Sequence, residues 1–141
     1  MQEETQIGIW ERCNTIEECY EYMLAYAAKG LPSEDTSGTK SQIREFLERA
    51  TSAINGLAGN CAATIREQAL GPAERYQAFL AVLNRDAQGS LAAIELVLAQ
   101  SSISSQLVDN LNPSIHLRAL LTDLFQIGDV LRSQATVTSH S

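Results

Sequence analysis

Apolar residues in this chain recur at intervals of three and four, and the three prolines and several of the eight glycines fall between those runs rather than inside them. Such spacing lays apolar stripes along α-helices, and no stretch shows the period-two alternation that marks a half-buried strand. The pattern predicts an all-α, single-domain helical bundle of four to five helices with a long central antiparallel hairpin. A chain of 141 residues can bury one sizeable core and is too short for two ordinary domains. Residues 1–133 are therefore assigned to one domain, and the polar residues 134–141 to a disordered tail.

Capping signals place the elements. Asn14 with Glu17, or Thr15 with Glu18, has capping-box spacing and predicts a first helix after an irregular acidic lead-in over residues 1–13. Its stripe is Ile16, Cys19, Tyr20, Met23, Leu24 and Ala27, closed by Gly30 and Pro32. The segment LPSEDTSGT reads as a polar loop, and Thr39 with Gln42 opens a second helix. Ile43, Phe46, Leu47, Ala50, Ile54, Leu57, Cys61 and Ile65 carry its stripe toward Gly71-Pro72. Gly56 and Gly59 each weaken that helix by about 1 kcal/mol relative to Ala, which leaves open a break there. Tyr76, Leu80, Leu83, Ala87, Leu91, Ile94 and Leu98 stay in phase across Gly89, so residues 72–99 read as one helix. Two such helices, each about 42 Å long, would pair around Gly71. Residues 101–111 read as a short helix or linker with Ile103, Leu107 and Leu111 inward. Asn112 and Pro113 open a last helix to about Ser133.

Charge narrows the partners. Seventeen acids against ten bases give a net charge of -7, which disfavours nucleic acid and anionic membranes. The acidity is concentrated, with ten acids against four bases in residues 1–48. The start, MQEETQ, lacks the basic and apolar regions of an export signal, and the longest apolar run, LAAIELVLA, falls far short of the roughly 20 residues of a membrane span. A cytoplasmic location is expected. Three cysteines, an odd number, fit reduced thiols better than a disulfide framework.

Sites of chemistry are sparse. The string SIHLRALL resembles the histidine-kinase H box, in which a phosphorylated His precedes an acid, an aliphatic residue and Arg; the resemblance implies phosphotransfer through His116. Here Leu117 and Arg118 follow directly, so the acid is missing. The stripe through Leu120, Leu124, Ile127 and Leu131 extends back to His116 and predicts a structural imidazole at the edge of the apolar face, bonded to a carbonyl or carboxylate. Neither His116 nor His140 has Glu three residues before it, and Cys13 and Cys19 lack zinc spacing, so no metal is expected. Glu45 and Glu48, beside Arg44 and Arg49, read as a solvated helix face. There is no GxSxG, GLAGN lacks the Lys-Ser or Lys-Thr of a phosphate loop, and Cys19 and Cys61 fall on apolar stripes as small hydrophobes. No catalytic residue and no cofactor are expected.

Two features stand out. Trp10, Tyr20, Tyr22 and Tyr26 gather aromatic surface into the acidic third; Tyr20 belongs to the core stripe, whereas Trp10, Tyr22 and Tyr26 are candidates for binding a protein partner. The alternative is that the tyrosines cover helix ends. Ile115, Leu117, Leu120, Leu121, Leu124, Phe125, Ile127, Val130 and Leu131 make the last helix apolar over well more than half its circumference. That surplus predicts a homodimer buried through Leu117, Leu121, Phe125 and Val130. The function expected is that of a non-catalytic interaction protein: an adaptor, assembly chaperone or regulatory subunit. A phosphotransfer module using His116 and an enzyme with a pocket between helices are the alternatives.

Overall fold

The computed structural model describes the backbone of residues 2–34, 41–111 and 115–140, and the side chains of 8–34, 41–111 and 116–133. The described residues form an all-α bundle without strands. Its helices are α1 (Gln2–Ala28), α2 (Gln42–Ile54), α3 (Leu57–Glu67), α4 (Ala73–Leu98), α5 (Ser105–Leu111) and α6 (Ile115–His140). Because α2 and α3 are one apolar run interrupted at Asn55 and Gly56, the bundle has five helical legs.

The expected lead-in does not exist as an irregular segment: α1 starts at Gln2. Ile9 and Cys13 are buried in phase with Ile16, Cys19, Met23 and Tyr26, one continuous stripe at spacings of four and three. That tertiary burial overrides the capping-box signals at Asn14 and Thr15, which lie inside the helix. Leu24, expected on the stripe, is exposed. Gly30, at φ +66°, ends the helix region as expected.

The N-cap of α2 is Ser41, two residues later than Thr39, which lies outside the described residues; the Ser41 hydroxyl accepts from the Arg44 N–H at 3.4 Å. The run then breaks. Gly56 takes φ +87°, a left-handed conformation that favours Gly, whereas Gly59 stays helical within α3. Helix α4 continues through Gly89. The α2–α3 run pairs with α4 as the expected hairpin, with one leg broken. The hairpin is not the sole centre, because α1 and α4 each pack on α2, α3, α5 and α6.

The last helix corrects the sequence reading twice. Asn112 and Pro113 lie outside the described residues, and the helix backbone runs to His140, beyond the boundary at Ser133. Leu117, Leu120, Leu121, Leu124, Ile127 and Leu131 are all buried, since α6 packs against both α4 and α1. The width of its apolar surface is thus used within one chain.

Candidate functional site: the α1–α2 face and the buried polar groups

A groove of about 640 Å³ runs along the α1–α2 seam, lined by Gly8, Glu11, Arg12 and Thr15 from α1 and by Glu45, Glu48, Arg49, Ser52 and Ala53 from α2. Three carboxylates face two guanidiniums. Arg12 turns its Nη1 into the end of α2, donating to the carbonyls of Ser52 (3.0 Å), Ala53 (3.1 Å) and Asn55 (2.7 Å). These are carbonyls that a broken helix leaves without intrahelical partners. Arg49 pairs with Glu18 at 3.2 Å and lies over the Phe46 ring. The face is acidic and polar; Glu45 and Glu48 are exposed on it, as expected of a solvated helix face, and they line its groove.

The aromatic candidates do not share one role. Tyr22 stacks on Phe46 with centroids 4.1 Å apart and donates its hydroxyl to Gln42, at the far end of the same seam. It is half-buried and remains available at the surface. Tyr26 is buried: its O–H donates to the Ile103 carbonyl at 2.6 Å, and the Ser105 hydroxyl donates to the Tyr26 carbonyl at 2.6 Å. Burial, then Glu34 and Tyr22, raises its phenol pKa. Tyr26 therefore locks the end of α1 to the chain entering α5, buried rather than presented at the surface as expected. Trp10 is half-buried beneath Arg132 of α6, whose guanidinium carbon lies 4.8 Å from the ring centroid.

Sequence reasoning missed the buried ion pair. Glu34, in the segment read as a polar loop, is enclosed by Arg44, with Nε–Oε2 at 2.8 Å and Nη2–Oε1 at 2.9 Å, by the Ser41 hydroxyl and by the Ile103 N–H at 2.9 Å. Arg44 also donates to the carbonyls of Leu98 and Gln100, closing the C-terminus of α4. Burial alone would raise the Glu34 pKa, but these donors outweigh it and hold the carboxyl below its ordinary value. The spacing of ten residues between Glu34 and Arg44 carries no local signal.

The candidates on α6 separate. Leu117 and Leu121 are core, against the expected dimer face; Phe125 is 57 % exposed, and Val130 is half-buried on another side, in a small groove with Arg75, Tyr76, Phe79, Gln126 and Ile127. The four residues do not form one uncovered face. That groove, of about 280 Å³, brings together no pair of acid–base or nucleophilic side chains.

His116 is exposed and lies against Gly89: a Cβ built on Gly89 would fall 2.4 Å from Nδ1 and 2.5 Å from Cγ. Among the described residues no carbonyl or carboxylate hydrogen-bonds its ring, contrary to expectation. One turn away on α4, Asp86 meets Asp123 of α6, which is buried with Oδ2 lacking a hydrogen-bond partner.

Cys13, Cys19 and Cys61 are free and buried. Their thiols are pushed up to about 11, 11 and 12, foremost by desolvation. Among the described residues no group of three or more His, Cys, Asp and Glu side chains is placed to hold a metal, and no helix is long and apolar enough to cross a membrane.

Compared with protein-family models, with curated proteins and with solved structures, the chain matches none.

Proposed function

We propose that this chain is a non-catalytic interaction module, acting as an adaptor, assembly chaperone or regulatory subunit, and that its docking surface is the α1–α2 face. The observation that carries the reading is the groove lined by Glu11, Glu45 and Glu48 and continued by the Tyr22–Phe46 stack. Carboxylates beside a half-buried aromatic pair suit a basic, partly apolar segment of a protein partner, with charge steering the encounter and the stacked rings supplying contact area. Three buried free thiols support a reducing, cytoplasmic setting.

The test is capture of the partner by the tagged full chain from its native cell, repeated with Glu11→Lys/Glu45→Lys and with Leu96→Lys. Leu96 is exposed on α4, away from the groove. The reading expects the partner to be lost only from the α1–α2 double variant, with helical content unchanged in both. Retention by the double variant, or equal loss from Leu96→Lys, rejects this face.

One observation favours phosphotransfer as the second reading: the exposure of His116. Incubation with phosphoramidate, followed by detection of acid-labile phosphate on the chain, tests it. Uptake abolished by His116→Gln would establish that reading over the first.

A further inference from the structure

We propose that α6 is held on α4 by a proton shared between Asp86 and Asp123, and that ionisation of both carboxyls loosens α6 from the bundle. Two ionised carboxylates offer only acceptors and repel; a single retained proton turns one of them into an O–H donor and joins the pair. The site fits the shared-proton state. Asp123 is 8 % exposed, and its Oδ2 has no donor. The nearby Ser90 hydroxyl does not supply one, since it donates to the Asp86 main-chain carbonyl at 2.9 Å. Asp123 is pushed up to about 7 by burial first, then by the hydrogen bond to Asp86 and its charge, with Arg85 opposing.

The neighbouring charges leave this pair in control. From α4, Asp86 and Arg85 act on Asp123. On α6 itself, His116 lies two turns earlier, against Gly89. From α1, the other helix packed on α6, Cys13 feels Arg132, more than two turns further along α6, and Glu17 of its own helix. The contact of α6 with α1 is smaller than that with α4, so weakening the α4 interface acts on the main attachment of the helix.

The sign follows from linkage. The native pair keeps its proton above the pH at which an unfolded Asp loses it, so the advantage of docking declines as pH rises from about 4 and is gone above about 7. The proton passes to solvent, and no other chemistry is involved.

Trp10, the single tryptophan, provides a direct readout because its ring lies beside Gly128 and under Arg132 of α6. Trp10 emission of the full chain, titrated from about pH 5.5 to 8.5, should shift to the red in one transition centred near pH 7. Hydrogen exchange over residues 116–131, corrected for intrinsic rates, should be roughly tenfold faster at the alkaline end. Asp123→Asn should abolish both changes, because its amide donates at every pH; Asp86→Asn gives the same flat profile independently. His116→Gln should leave the transition in place. A wild type without the transition, a transition surviving both Asn variants, or one removed by His116→Gln overturns the proposal.

Discussion

Arg44 holds Glu34 in a two-pronged ion pair while the same guanidinium closes the end of α4 through Leu98 and Gln100. One contact between residues ten apart thus ties the entry to α2, the exit of α4 and the approach to α5. Removing one partner strands a charge in a buried site, so Glu34→Ala is expected to cost about 3–5 kcal/mol in urea unfolding at pH 7. The Glu34 pKa is lowered on folding, and so the stability it supplies is present above the unfolded value and lost as pH falls through the folded one. Glu34→Gln should flatten the acid limb of the stability profile as pH falls below the ordinary carboxyl value of 4.5. An unchanged acid limb would place acid sensitivity in other groups.

The contact of Gly89 with His116 reverses an ordinary substitution rule. Ala should stabilise an exposed helix position relative to Gly by about 1 kcal/mol, and Gly59→Ala is expected to do so because nothing lies within 4 Å of the added carbon. Gly89→Ala should instead destabilise by about 1–3 kcal/mol by overpacking against the imidazole. Gly89→Ala combined with His116→Ala should recover most of the loss, and equilibrium unfolding of the four-member cycle measures that coupling.

Arg12 and Gly56 make the break between α2 and α3 from its two sides. Arg12→Ala removes three donations to carbonyls and should cost about 1–3 kcal/mol. Gly56→Ala must adopt φ +87° and should cost about 1 kcal/mol or more. Thermal unfolding followed at the helical signal reads both; a stabilising Gly56→Ala would mean that the two helices can fuse.

The three thiols should be nearly inert in the native chain. Burial raises all three pKa values well above neutrality, which leaves little thiolate at pH 8. Reaction with an aromatic disulfide reagent should be slow until denaturant is added, and then account for all three. Rapid reaction of one thiol in the native state would reveal a local opening at its helix.

Among the described residues of α6, Phe125 is the one large apolar side chain that is exposed, with Leu117 and Leu121 turned into the core. Phe125→Glu should fold normally, with a stability change within about 0.5 kcal/mol. Sedimentation of the wild type at micromolar concentration is expected to give a monomer, because one exposed ring does not make an interface core. A dimer that Phe125→Glu dissociates would show that a wider surface is involved.

Local physics made the helices legible in sequence. The three-and-four spacing on Ile43 to Ile65 and on Tyr76 to Leu98, the glycine and proline between elements, and the continuation through Gly89 all follow from the pitch of the helix. Ile9 and Cys13 extend the α1 stripe backwards, so its early start was written there too. Tertiary structure decided the rest, because burial depends on which elements meet. Only the fold brings Glu34 to Arg44 and Asp86 to Asp123, over separations with no local periodicity. Only the packing of α6 against two helices turns Leu117 and Leu121 into core and leaves Phe125 outside. A stripe counts how many residues prefer burial; the neighbouring helices determine how many are covered.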